Sequence, residues 1–160
     1  MSSNILSQKR LRELLHYEPA TGIFTRLVGT GGRGKAGDIA GSLQSTGYIL
    51  ICVDGKRYLA HRLAYLYMTG TWPPAMIDHR DTRKHNNVWT NLRPATQSEN
   101  QLNKGAYKNN LLGHKNISKT RYSYQVIVQG VFLGCSVCLD AAIAWRDFAV
   151  EFCHGEFART

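Results

Sequence analysis

The stretch over residues 76–100 constrains the fold of this chain more than any other part of the sequence. Its opening, Met76-Ile77-Asp78-His79, is typical of a short buried strand with two apolar residues in the core and two polar side chains emerging at its edge. Residues 80–88 are nearly all polar or charged, which predicts a solvent-exposed loop. Val88-Trp89 and Leu92 then predict a second short strand.

A helix is predicted after this second strand, from Thr96 to Gly105. Thr96 can open it with a capping box, and Gly105 follows a cationic last turn. The predicted unit is therefore strand, loop, strand and helix. Such a unit can gather the carboxylate of Asp78, the imidazole of His79 and the amide oxygen of Asn100 around one small volume.

These residues resemble the HNH endonucleases, whose catalytic finger is two strands and a helix around one divalent metal. The three letters fall on His79, Asn91 and Asn100, and Asp78 directly precedes the histidine. The spacing is twelve residues from His79 to Asn91 and nine more to Asn100. The phage branch is the most similar, because it carries an Asp-His, an Asn-Leu-Arg and a Glu-Asn at comparable positions. The resemblance implies a metal-dependent DNA endonuclease of nicking or homing type, with 5′-phosphate and 3′-hydroxyl products.

The resemblance also implies a role for each of these four residues. Neutral His79 would be the general base that takes a proton from the attacking water. Asp78 and Asn100 would bind one divalent cation, Mg²⁺ or Mn²⁺, which stabilises the charge on the leaving 3′ oxygen. Asn91 would fix the orientation of His79 by hydrogen-bonding across the loop.

The charge of the chain favours a polyanionic partner. Twenty Lys and Arg against eleven Asp and Glu give a formal charge of +9 and a pI near 9.6. With the resemblance, this predicts double-stranded DNA as the substrate. His61 is either structural or a phosphate contact. The basic residues expected to contact DNA are Arg62, Arg80, Arg83, Lys84, Arg93, Lys104, Lys108, Lys115, Lys119 and Arg121.

Four elements are predicted before the finger. A short helix spans 7–15, capped by Ser7, and a strand spans 23–27. Asp54-Gly55 is a strong hairpin signal between predicted strands over 47–53 and 56–59. A helix over 60–69 follows, with apolar residues at helical spacing and a glycine at its end.

The region over residues 114–160 reads as a three-stranded sheet with a helix over 139–152. It resembles the plant-type ethylene-response DNA-binding domain, which phage HNH proteins often carry behind the finger. Lys115, Lys119 and Arg121 would face DNA from the strand side. The predicted apolar stripe of the helix is Ala141, Ala142, Trp145, Phe148, Ala149 and Phe152.

The predicted fold class is α+β. The predicted parts are an N-terminal helix and β-hairpin region (1–59), a nuclease region with the ββα-metal finger (60–105), a linker (106–113) and a small sheet-plus-helix DNA-binding module (114–160).

The sequence contains no apolar run of the roughly 20 residues that a membrane span needs and does not open with a signal segment. We expect a soluble protein with no membrane partner, a monomer or weak dimer in the cytoplasm of a bacterial host cell if the chain is phage-encoded. The four cysteines predict reduced packing thiols. Zinc is not expected, because the Cys-x-x-Cys at 135–138 lacks a second pair.

Two other functions compete with the endonuclease. A catalytically silent DNA-binding protein would not need intact Asp78, His79 and Asn100. A basic structural or packaging protein would not explain polar residues at the spacing of a metal site.

Overall fold

The structure is a computed structural model, and it describes residues 5–32, 34–102, 110 and 112–154. The chain divides into two compact units, Met1–Thr96 and Gln97–Thr160. Each contains helices and small antiparallel sheets, so the predicted α+β class is confirmed. No helix within the described ranges is both long and apolar enough to cross a membrane.

The first unit opens with helix α1 (Gln8–Leu14), and the Ser7 hydroxyl caps it by accepting from the Arg10 N–H at 3.2 Å. The predicted helix is thereby confirmed. Strand β1 (Leu15–Glu18) follows without a break and pairs with β2 (Ile23–Arg26) in an antiparallel hairpin. The sequence analysis missed β1, since its four residues continue the apolar spacing of the helix and only the alternating burial of the strand distinguishes them.

A second sheet contains β3 (Ser42–Leu43), β4 (Ile49–Val53) and β5 (Lys56–Leu59) in that order. Asp54 and Gly55 both have positive φ, 48° and 75°, so the predicted Asp-Gly hairpin turn is confirmed. Helix α2 (Ala60–Thr69) begins directly after β5 and ends at Gly70, whose φ of 80° is a left-handed C-cap. The two sheets and both helices pack on one apolar core that includes Leu11, Tyr17, Phe24, Ile51, Leu63 and Leu66.

The finger begins with β6 (Met76–His79), which pairs antiparallel with β7 (Leu92–Ala95). Ile77 lies in the core as predicted, but Met76 is 43% exposed, so its predicted burial is wrong. Alternation explains the difference, because neighbouring side chains of a strand point to opposite faces. The predicted strand register at Trp89 is also wrong, because Trp89–Asn91 form a 3-10 helix before β7.

The second unit contains α3 (Gln97–Leu102), β8 (Ile117–Lys119), β9 (Tyr124–Val128), β10 (Val131–Ser136) and α4 (Leu139–His154). The three strands form one antiparallel sheet with β9 in the centre. Its core consists of Ile117, Val126, Val128, Ala142 and Val150. The predicted three-stranded sheet plus helix is therefore confirmed. The predicted end of the finger helix at Gly105 and most of the predicted linker lie outside the described residues.

The predicted apolar stripe of α4 is wrong for its three aromatic residues. Trp145, Phe148 and Phe152 are 50%, 76% and 85% exposed. The buried positions are Ala142, Arg146 and Val150, spaced four apart. Ala142 and Val150 belong to the core cluster of this unit, and the Arg146 guanidinium donates to the carbonyl of Lys115 at 3.1 Å.

All four cysteines are free and exposed, so their interpretation as packing thiols is wrong. Cys52 lies on β4 between Ile51 and Val53, which are both buried in the core. Its side chain consequently points away from the core.

Candidate active site

The ladder between β6 and β7 places Asp78 opposite Arg93 and His79 opposite Leu92. Asp78 and His79 are only 5% and 4% exposed, so the expectation that they emerge at the strand edge is wrong. A buried charge and a buried imidazole at the end of one short strand require specific polar partners. Those partners define the site.

Asp78 is paired with Arg93 inside the protein. Both the Nε and the Nη2 of Arg93 donate to Oδ2 of Asp78, at 2.9 and 2.8 Å. Arg93 is 5% exposed, and its guanidinium was expected to contact DNA phosphate. The structure instead directs it to the carboxylate that precedes the candidate base, where two charge-assisted hydrogen bonds fix one carboxylate oxygen.

The imidazole of His79 is held by the side chain of Asn87. The Nε2 of His79 lies 3.4 Å from Oδ1 of Asn87, whose Nδ2 donates to the carbonyl of His85 at 3.2 Å. An amide oxygen only accepts hydrogen bonds, so this geometry assigns the proton of the neutral ring to Nε2 and a lone pair to Nδ1. Burial lowers the pKa of His79 below 6.5, and the imidazole is therefore neutral at pH 7.

Asn87 is itself locked in place by the first hairpin. Its side chain is 2% exposed, and its carbonyl accepts a 2.6 Å hydrogen bond from the hydroxyl of Tyr17. Gly22 lies so close that an added Cβ would be 2.3 Å from the carbonyl carbon of Asn87. The sequence analysis missed Asn87, because nothing in a polar loop distinguishes the one side chain that turns inward. Its contacts come from residues about 65 to 70 positions earlier.

Asn91 closes the loop that separates the two strands. Its Nδ2 donates to Oδ1 of Asp81 at 2.9 Å and to the carbonyl of Asn86 at 2.8 Å, and its Oδ1 accepts from the N–H of Asp81 at 3.0 Å. Burial opposes the ionisation of Asp81, but the hydrogen bonds that this carboxylate accepts hold its pKa below the usual range. Asn91 thus bridges the loop as expected, and it is Asn87 that touches the imidazole.

Two further cations of the first unit that were expected to bind DNA make contacts within the protein. Arg62 donates to the carbonyl of Ala75 at 3.1 Å, and Lys84 donates to the carbonyl of Thr46 at 3.2 Å. Arg80 and Arg83 are exposed in the loop after His79. Their contact with a phosphate backbone stays a prediction.

The remaining predicted residues lie in the second unit. Asn100 is half-buried in α3, and its sharing of a metal with Asp78 stays a prediction. Lys115 is half-buried, whereas Lys119 and Arg121 are exposed. The guanidinium of Arg121 lies over the ring of Tyr122, 5.2 Å from its centre. Lys104 and Lys108 are outside the described residues.

The predicted metal ligands carry oxygen atoms of the kind that hard divalent cations bind. Across the described ranges there is no group of three or more His, Cys, Asp or Glu side chains that could hold a metal. Mg²⁺ needs no such group, because it commonly binds one or two protein oxygens and completes its shell with water and phosphate. The carboxylate of Asp78 and the amide oxygen of Asn100 are ligands of this kind.

The segment that builds this site is similar to known nucleases. Residues 58–102 match the family model described as HNH endonuclease. The chain is also 36% identical over 91 residues to the "Uncharacterized HNH endonuclease L560" of Acanthamoeba polyphaga mimivirus. That alignment covers 56% of this chain and 48% of the viral protein, so the chain spans about half the length of the curated relative that it matches. No solved structure matches the chain.

The family match ends at residue 102, before β8, and the comparisons do not support the expected resemblance of residues 114–160 to an ethylene-response domain. The match does include all of β6, the loop, β7 and α3. The part of the chain that carries Asp78, His79 and Asn100 is therefore the part that is similar to HNH endonucleases.

Proposed function

We propose that this chain is a metal-dependent endonuclease that hydrolyses phosphodiester bonds of double-stranded DNA, with His79 as the general base. One observation carries the proposal. A buried, neutral imidazole stands at the end of β6, directly after a buried carboxylate, inside the segment that matches HNH endonucleases. Nicking or homing activity and action as a monomer or weak dimer are finer parts of the same proposal.

The geometry around His79 suits proton abstraction. Oδ1 of Asn87 accepts a hydrogen bond from Nε2–H of His79, so the lone pair of the neutral ring is on Nδ1. Nδ1 is the atom proposed to take a proton from the attacking water. Burial favours the neutral ring, which keeps that lone pair available at neutral pH. Asn91 contributes indirectly, because it fixes the loop on which Asn87 is carried.

Asp78 and Asn100 are the residues that would hold a divalent cation, Mg²⁺ or Mn²⁺. When bound, the cation would stabilise negative charge on the scissile phosphate and on the leaving 3′ oxygen. Arg93 orients the carboxylate of Asp78 through two hydrogen bonds to Oδ2.

We propose that cations of both units contact the DNA. Arg80 and Arg83 would contact the phosphates nearest to His79. In the second unit, Lys115, Lys119 and Arg121 would contact the backbone in the manner of the ethylene-response fold. The outward face of that sheet, which in register carries Ser118, Gln125, Ile127, Phe132 and Cys135, bears no cation. Backbone contact is therefore favoured over base readout there.

A second candidate function is DNA binding without cleavage. The ion pair between Asp78 and Arg93 favours it, because a carboxylate already neutralised by a guanidinium binds a metal less strongly. The two candidates differ in one outcome, which is whether DNA is cut.

The test is cleavage of supercoiled plasmid DNA by the full chain with Mg²⁺, with Mn²⁺ and with EDTA. We expect wild type to nick or linearise the plasmid only with a metal, and His79→Ala to bind DNA without cutting it. His16→Ala, which removes an exposed imidazole of β1, is the matched control and should cut like wild type. Binding by wild type without cleavage under either metal would support the second candidate instead.

A further inference from the structure

Three rings meet at the candidate base. The imidazole of His61 lies 5.1 Å from that of His79, centre to centre, with the planes at 86°. The ring of Tyr48 lies 5.2 Å from His61 and 6.0 Å from His79. Edge-to-face contacts at these distances favour one relative orientation of two rings.

His61 comes from the first turn of α2 and points into the protein with Ala60, Leu63 and Ala64. It is 6% exposed. Burial, together with His79 and Arg62 nearby, lowers its pKa to about 3. His61 is therefore uncharged at pH 7, which argues against an ionic contact with DNA phosphate.

We propose that His61 is a positioning residue whose ring fixes the plane of the His79 imidazole and so aims Nδ1 at the attacking water. This proposal rests on the proposed nuclease function. The hydrogen bond to Asn87 lies at the Nε2 edge of His79, at a distance of 3.4 Å that permits rotation about the bond. The edge-to-face contact with His61 acts on the plane of the ring itself.

Tyr48 supports His61 from the turn that precedes β4. The Nζ of Lys84 lies over the Tyr48 ring, 5.0 Å from its centre, and donates to the carbonyl of Thr46. Lys84 belongs to the loop after His79, so this cation ties the loop to the turn that carries Tyr48. The loop after His79 and the turn before β4 therefore both restrain the ring cluster of Tyr48, His61 and His79.

The kinetic test compares three variants of the full chain in single-turnover cleavage of plasmid DNA with Mg²⁺. His61→Leu removes the ring and should lower the cleavage rate about tenfold, with the affinity for DNA unchanged. His61→Phe restores an aromatic ring and should recover most of that loss. Leu66→Ala is the control for damage to α2, since Leu66 is buried on the same helix and takes no part in the ring cluster. It should lower thermal stability and leave the rate near that of wild type.

The second test needs no cleavage. NMR spectra of protein labelled at the histidine rings should show His79 as one ordered neutral tautomer in wild type. In His61→Leu, the ring-current shift that the His61 ring causes at His79 should disappear. The ring ¹⁵N signals of His79 should shift toward values averaged over several ring orientations. Leu66→Ala should leave these signals in place.

The two tests separate the possible failures. A wild type that never cuts DNA would refute the proposed function, and the NMR comparison would still decide whether His61 orders His79. The positioning role is refuted if His61→Leu cuts at the wild-type rate, if His61→Phe is as slow as His61→Leu, or if His79 signals are the same in His61→Leu and wild type.

Discussion

Replacement of Arg93 by methionine should destabilise the first unit strongly. Methionine keeps much of the length of the side chain and removes the guanidinium that donates twice to Oδ2 of Asp78. The two side chains are only 5% and 6% exposed, so water cannot replace the lost partner. Arg93→Met leaves a buried carboxylate without its cation, which typically costs about 3–5 kcal/mol.

The free energy of unfolding can be measured by urea denaturation with tryptophan fluorescence. Trp72 and Trp89 lie in the first unit and Trp145 in the second. A Trp145→Phe background therefore makes the fluorescence report on the first unit alone. We expect Arg93→Met to lower the midpoint of denaturation without a large change in the slope of the transition.

A double variant gives the internal control. Asp78→Leu combined with Arg93→Met replaces the buried pair by apolar side chains, and its loss should be smaller than that of Arg93→Met alone. A cost below about 1 kcal/mol for Arg93→Met, the value typical of an exposed pair, would refute the conclusion that this ion pair is buried.

Three further predictions concern the surroundings of His79. Asn87→Ala should slow DNA cleavage about 10- to 100-fold at unchanged DNA affinity, since the Nε2 proton of His79 loses its acceptor; an unchanged rate in single-turnover kinetics would contradict this. Gly22→Ala should lower the free energy of unfolding by about 2–4 kcal/mol, because the added Cβ would collide with the backbone of Asn87. Gly55→Ala, at φ 75° in open space, should lower it by about 1 kcal/mol. Equal losses in urea denaturation would argue against the close contact between Gly22 and Asn87. Folding stability should be complete above pH 6.5 and fall as the pH drops to 5, because burial lowers the pKa of both His61 and His79 and the unfolded chain then binds protons that the folded chain does not; His61, with a pKa of about 3, should contribute up to about 1.4 kcal/mol per pH unit. His61→Phe should weaken this pH dependence, and a flat profile between pH 7 and pH 5 would show that the two imidazoles are not buried as neutral rings.

Elements with strong local signals could be predicted from the sequence. The Asp54-Gly55 turn, the C-cap at Gly70 and the N-cap at Ser7 each depend on residues only a few positions apart. The alternating pattern of Tyr124–Val128 also identified a strand. In these cases the backbone conformation follows from the local residues, and packing against the rest of the chain does not reverse it.

The rest depends on distant partners. Asn87 becomes the contact of His79 because Tyr17 and Gly22, from another hairpin, fix its backbone. Arg93 faces Asp78 because two strands separated by a long loop pair in one register. The aromatic residues of α4 lie outside because the helix directs Ala142, Arg146 and Val150 into the protein instead. No pattern within one segment reports such distant contacts.

The most direct test of the proposed nuclease is the single-turnover rate of DNA cleavage by His79→Ala relative to wild type, at saturating protein and with Mg²⁺. Loss of the general base should lower the rate by about 10²- to 10⁴-fold while the affinity for DNA stays the same. Equal rates for His79→Ala and wild type would contradict the assignment of His79 as the base and, with it, the proposed mechanism.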